Sequence, residues 1–308
     1  MKRMSLLTQL ITLTFFTSII IIGCKKEKSD TLTAAQEEEA ATFATESETE
    51  SEFVFNNVFD DVVGVDANIG FGGTGVFGRG VSGENGGREL GTDSVTCFTV
   101  TKTFLNAPSL FPVKIVIDFG AGCTDNNSHT RYGKVITVYT GKLINAGSVA
   151  TTTFENFKID SLAITGTHKI TNSTASGSNQ RQFTIDVIEG KVTRPNGNYF
   201  KWNSHRVITQ VEGNATPAPI DDVFTITGSA HGRVLRGNLL YAWNSEIIEA
   251  LRKRFNCPWI SKGVIKVRRE TLPATSPWVA VLNYGNGTCD FLATLTINGI
   301  TNNIQLPH

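Results

Sequence analysis

From Val95 to the C-terminus, apolar and polar residues alternate with period two, in runs of roughly seven to twelve residues separated by turn chemistry. No other feature of the chain limits its fold as strongly. The runs fall at 95–104, 113–119, 133–143, 148–158, 161–171, 181–193, 198–211, 223–235, 238–246, 262–269, 278–284, 291–297 and 300–306. Asn196-Gly197 and Asn298-Gly299 are strong two-residue hairpin turns, because both central residues of a type I′ turn need positive φ. Short connections make consecutive strands antiparallel neighbours. The expected fold is therefore all-β: a long antiparallel meander forming a sandwich or a strongly curved sheet. Ser245 to Phe255, SEIIEALRKRF, is the one segment within this region that reads as helical.

Ahead of the strands the period changes. Phe55, Val58, Phe59, Val62 and Val65 lie on one helical face, with Asn56, Asn57, Asp60 and Asp61 opposite. This predicts one N-terminal amphipathic helix, beginning inside the Glu-rich stretch, with its acidic face in water. Residues 24–52, rich in Ala, Thr, Ser and Glu, read as an acidic flexible tether. The layout expected is 1–23 signal peptide, 24–52 tether, 53–92 helix and Gly-rich loop, and 93–308 β-rich domain.

Four cysteines lie in the β region: Cys97, Cys123, Cys257 and Cys289. The midpoint of the first two falls inside NAPSLFP (Asn106 to Pro112), and that of the last two inside TLPATSP (Thr271 to Pro277). Each pair is thus centred on a Pro-containing turn between strand-like runs, which predicts two hairpins with stapled arms, Cys97–Cys123 and Cys257–Cys289. A four-Cys zinc site would need C-x-x-C spacing that is lacking here.

At the N-terminus, Lys2 and Arg3 precede an apolar run from Leu6 to Ile22, followed by Gly23-Cys24. These are the parts of a secretory signal. Ile21-Ile22-Gly23-Cys24 resembles the lipobox of bacterial lipoproteins, with Ile21 in place of the commoner Leu. The resemblance implies cleavage before Cys24, lipidation of Cys24, and a membrane partner through that lipid. It places the chain in the cell envelope, at the outer membrane, with the surface or periplasmic face undecided. Export removes nucleic acid from consideration. Between Lys28 and Arg79 lie eleven acids and no basic residue, which reads as solvated charge.

Within GFGGTGVFGRG, Gly70, Gly72 and Gly75 fit G-x-G-x-x-G. A dinucleotide loop needs a strand before it and a helix after it; here a helix precedes and strands follow. Asp118-Phe119-Gly120 spells a kinase triplet, yet His-Arg-Asp is missing, and the echo Asn283-Tyr284-Gly285 marks both triplets as strand ends turning toward a cysteine. No nucleotide, metal or other cofactor is expected. His168 reads as a core histidine, and Asp125-Asn126-Asn127 as a polar turn rather than a calcium loop.

A second echo, FTIDVIEGKVTRPNGNYFKWNS from Phe183 and FTITGSAHGRVLRGNLLYAWNS from Phe224, puts Phe200 with Trp202, and Tyr241 with Trp243, on shared strand faces. Buried, these rings are core; exposed, they form a candidate ligand platform for flat sugar faces. Asp30-Thr31-Leu32, Asp93-Ser94-Val95 and Asp160-Ser161-Leu162 resemble O-glycosylation sites of Bacteroidota envelope proteins. With the lipobox and the repeated Gly–Cys strand ends, the chain resembles the uncharacterised β-rich lipoproteins of that phylum, a resemblance that implies no particular activity. No catalytic constellation emerges. The chain is expected to be a structural or protein-interaction module rather than an enzyme, with a surface glycan-binding lipoprotein as the alternative and an unrecognised hydrolase less favoured. An envelope protein or a glycan is the expected partner.

Overall fold

The computed structural model describes residues 32–77, 97–124, 128–214, 221–237 and 239–307. Cys24, the signal segment, Asp93 to Val95 and Asp125 to Asn127 lie outside them. Among the described residues one α-helix, α1 (Ala34–Val63), and a single 3-10 turn at Gly75–Phe77 precede a 14-stranded antiparallel sheet. Its strands are β1 (Thr99–Phe104), β2 (Val113–Asp118), β3 (Cys123–Thr124), β4 (Thr130–Tyr139), β5 (Val149–Ile159), β6 (Leu162–Asn172) and β7 (Gln182–Thr193). They continue as β8 (Tyr199–Glu212), β9 (Val223–Arg236), β10 (Leu239–Arg254), β11 (Lys262–Arg269), β12 (Ala280–Asn286), β13 (Leu292–Ile297) and β14 (Ile300–Gln305). Strands pair in chain order, with the short β3 beside β4, and the sheet does not close on itself. All strands belong to one curved sheet, so of the two expected architectures the sandwich is set aside.

The helix begins far upstream of Phe53. Thr33 caps it: its hydroxyl accepts from the Gln36 N–H, and the Gln36 side chain accepts from the Thr33 N–H. Ala- and Glu-rich residues then carry it through most of the segment expected to be a flexible tether. The sheet curves around this helix, and strands from β4 to β12 touch it. No residue from Ser47 to Val65 is exposed. Val54, Phe55, Val58, Phe59, Val62 and Val63 join the inner faces of the strands in one apolar core. The acidic face is buried as well, with Asp60 5% and Asp61 1% exposed, which corrects the expectation that it stays in water.

Curvature comes from a seam of bulges. Gly133 on β4 lies against the Asn156 carbonyl of β5, where a Cβ would sit 2.3 Å from that oxygen. Gly228 on β9 lies against the His205 carbonyl of β8 in the same way, at 2.1 Å. Gly166 against Glu189 and Gly263 against Ala250 repeat the device. Register shifts fall at Tyr132/Lys134, Thr165/Thr167 and Val187/Gly190, so the extra residues sharpen the bend strand after strand.

The segment expected to be helical at Ser245 to Phe255 is the second half of β10. It has helix-forming residues, but Leu251 to Arg254 pair with β9, and Glu249 and Arg252 pair with β11. Two flanking ladders override the local propensity. A bulge between Glu246 and Leu251 exposes Ile248, Glu249 and Ala250, and this breaks the period-two pattern that would have identified the strand.

Both disulfides pair as the hairpin arithmetic requires, Cys97 with Cys123 and Cys257 with Cys289. The strand-end echo is a structural repeat. Asp118 Oδ1 accepts the Gly120 N–H at 2.9 Å, and Asn283 Oδ1 accepts the Gly285 N–H at 2.9 Å. Each side-chain turn lets a glycine of positive φ redirect the chain toward its cysteine.

Candidate functional site: the helix-filled channel

The densest polar chemistry lies between α1 and the sheet, centred on Glu48, which is fully buried. Trp202 and Trp243 each donate an indole N–H to Glu48 Oε2 at 2.9 Å. Ser245 Oγ donates to Oε1 at 2.6 Å, and Arg206 Nη2 donates to the same oxygen at 2.8 Å. Arg206 Nε also donates to Glu52 Oε1 at 2.8 Å, so one guanidinium spans two carboxylates a helical turn apart.

The two tryptophans come together through the second echo. Both pair with Gly232 of β9, which lies between them in the sheet. A Cβ at Gly232 would meet the Trp243 ring at 2.3 Å, so the missing side chain makes room for the indoles over one carboxylate. The four rings proposed as a ligand platform are thus core. Phe200, Trp202 and Trp243 are buried, Tyr241 is partly buried against the same cluster, and Phe55 stacks on Trp202. They face the chain's own helix, not an external sugar.

Further carboxylates of α1 extend the pattern along the channel. Glu37 pairs with Arg269, Glu46 with Arg236, Glu50 with Arg194, Asp60 with Lys253 and Asp61 with Arg131. The helix-facing cations come from β4 to β11, so the acidic helix fits a basic lining. Desolvating such pairs offsets much of their attraction, so removing one partner costs more than the intact pair contributes. Burial, reinforced by the charge of Glu48 and opposed by Arg206, holds the Glu52 carboxyl above the usual carboxylate range. Tyr284, buried beside this pair, is held well above the ordinary tyrosine range by burial and by Glu52 and Glu48.

A small cavity of about 30 Å³ adjoins Glu52, Asn56, Lys253, Tyr284 and Trp259, enough for a water or two and too small for a metabolite. Chemically, Glu48 has its lone pairs committed to four donors, so the cluster orients and holds rather than transferring protons. Among the described residues, no group of three His, Cys, Asp or Glu side chains is arranged to hold a metal ion.

In the described part of the Gly-rich segment, Gly64 to Phe77 fold back on the helix C-terminus. Thr74 Oγ1 donates to the Asp60 carbonyl at 2.9 Å, and the Val76 N–H donates to Asp61 Oδ1 at 2.8 Å. The helix comes before this loop, the reverse of a dinucleotide fold. His168 is fully buried and stacks on Phe55, but neither ring nitrogen has a hydrogen-bond partner among the described residues. Burial, slightly opposed by Asp186, lowers its pKa to about 3. Ser161 lies exposed at the turn between β5 and β6.

Sequence reasoning missed Glu48, Glu52, Arg206 and Gly232. The one available signal was the coincidence of two Trp-Asn-Ser strand ends flanking a strand run that contains Gly232. No protein-family model, curated protein or solved structure matches the chain significantly.

Proposed function

We propose that the chain is an exported, lipid-anchored envelope protein that acts as a structural or protein-interaction module. The observation that carries this reading is the occupied channel. The concave face of the sheet, where a curved sheet would hold a small ligand, is filled by the chain's own helix and locked by buried pairs. Surfaces left for partners are the convex face, the hairpin ends and the two sheet edges. The two disulfides fit an oxidising compartment outside the cytoplasm. Lipid on Cys24 would supply the anchor, since each buried methylene contributes about 0.8 kcal/mol. Of the rings on which the glycan alternative rests, Phe200, Trp202 and Trp243 are buried and Tyr241 is partly buried.

The test is photo-crosslinking in growing cells, with the probe residue placed in turn on the 105–112 hairpin, the convex face of β4 to β6, and the β14 edge. Adducts to envelope proteins from one contiguous set of positions support the reading. No protein adduct from any position, together with binding of the purified chain to a polysaccharide array, refutes it. Cys24→Ser run in parallel reports the anchor: loss of labelled-palmitate incorporation and release from membranes are expected.

A further inference from the structure

The two edges of the sheet differ in how they are guarded. Edge strands offer unpaired N–H and C=O groups, and proteins blunt them with charge, proline or bulges. β1 carries Lys102, which pairs with the buried Ile115 of β2 and so sets a charge on the inner face at this edge. β14 carries no such guard: from Phe291 to Pro307 there is no charged residue, and β14 pairs with β13 in unbroken register from Ile300 to Gln305.

Its geometry is self-complementary. Leu306 donates its N–H to the Phe291 carbonyl across β13, so by alternation the backbone of 300, 302 and 304 also faces β13. Thr301, Asn303 and Gln305 therefore turn their N–H and C=O groups outward. An antiparallel match of this edge with itself, centred on Asn303, sets Thr301 opposite Gln305 and Asn303 opposite Asn303 of the other copy. That pairs every outward backbone group in about six hydrogen bonds. On the inner face the same register sets Ile300, 58% exposed, opposite Leu306 of the other copy, and Asn302 opposite Ile304. On the outer face every pair is polar and uncharged, so no like charges meet.

We infer that β14 is a dimerisation edge, and that its occupant is β14 of a second copy of this chain, paired antiparallel about a twofold axis through Asn303. The inference rests on the reading of the protein as an interaction module and names one partner for it. A symmetric pair of edges satisfies the isologous rule for twofold dimers and leaves the helix-filled channel of each copy intact.

The test sediments the purified full chain in detergent over a range of concentrations. A reversible dimer is expected for the wild type. Asn303→Lys and Asn303→Asp, each placing like charges face to face, should sediment as monomers that melt like the wild type at concentrations where the wild type is itself dissociated. Mixing the two variants should restore the dimer, because Lys and Asp then oppose each other. Thr101→Lys, on the other edge, should leave the dimer unchanged. A wild type that is monomeric throughout, a dimer that survives both Asn303 variants, or one that Thr101→Lys disrupts equally would overturn the inference. A dimer would add self-adducts at the β14 probe only; adducts to other envelope proteins from the 105–112 hairpin and the convex face do not depend on this edge, so the two readings fail separately.

Discussion

Replacing Glu48 with Gln changes one atom and little shape, yet it should be among the most damaging substitutions in the helix. Oε2 of Glu48 accepts two indole N–H groups, while Oε1 accepts the Ser245 hydroxyl and the Arg206 guanidinium. A glutamine offers one acceptor oxygen and one donor nitrogen. Facing the indoles with oxygen puts its amide N–H₂ against Arg206; the opposite orientation leaves both tryptophan donors unmet. Either way at least one buried donor loses its acceptor, at about 1–3 kcal/mol, and Arg206 loses half of its charge compensation. Breaking a buried pair from one side typically costs about 3–5 kcal/mol. We expect Glu48→Gln to lose about that much.

Glu46→Gln is the control. Its pair with Arg236 has both side chains more than a third exposed, so less than about 1 kcal/mol should be lost. The assay is urea unfolding under oxidising conditions, followed by far-UV circular dichroism and tryptophan fluorescence. Near-equal midpoints for the two variants, both within 1 kcal/mol (about the size of an exposed pair) of the wild type, would refute the claim that Glu48 locks the helix to the sheet.

Three further outcomes follow from the same packing. Gly232→Ala forces a methyl against the Trp243 ring and should cost about 1–3 kcal/mol, with a changed near-UV tryptophan spectrum. For His168, the unfolded state binds a proton near pH 6.5 and the folded state only near pH 3. Stability is whole above about pH 6.5 and falls toward acid by up to about 1.4 kcal/mol per unit; His168→Phe, which keeps the stack on Phe55, should remove about 2 kcal/mol of the loss between pH 6.5 and 5, measured by urea midpoints. Cys257→Ser with Cys289→Ser should cost about 3–4 kcal/mol by freeing a 32-residue loop in the unfolded chain, read as a lowered Tm.

The strand content was legible because period-two runs and hairpin turns are local signals, and each strand is flanked by its chain neighbours. The disulfides were legible for the same reason: stapled hairpins have their symmetry written in the spacing. The first half of the helix was not legible. Its stripe is made of Ala, Ser and Thr rather than large apolar residues, and its acids resemble solvated charge. They are buried because of partners far along the chain, such as Arg206 for Glu48 and Arg269 for Glu37. Helix propensity alone favoured a helix there, but no local pattern showed what would bury it. The β10 error has the mirror-image cause, a locally helical segment held extended by two neighbours. The glycine seam was visible as single glycines inside strand runs, a recognised sign of bulges, and it marks where the sheet bends.

The central claim is that residues 34–63 form a helix enclosed by the sheet, not a tether leading to it. Amide hydrogen exchange on the full chain, read peptide by peptide, tests it most directly. The account predicts that amides from Ser47 to Val63 are protected to the level of β8 and β10 and open only with global unfolding. Exchange of residues 34–52 at the rate of a free peptide, with the strands still protected, would contradict it.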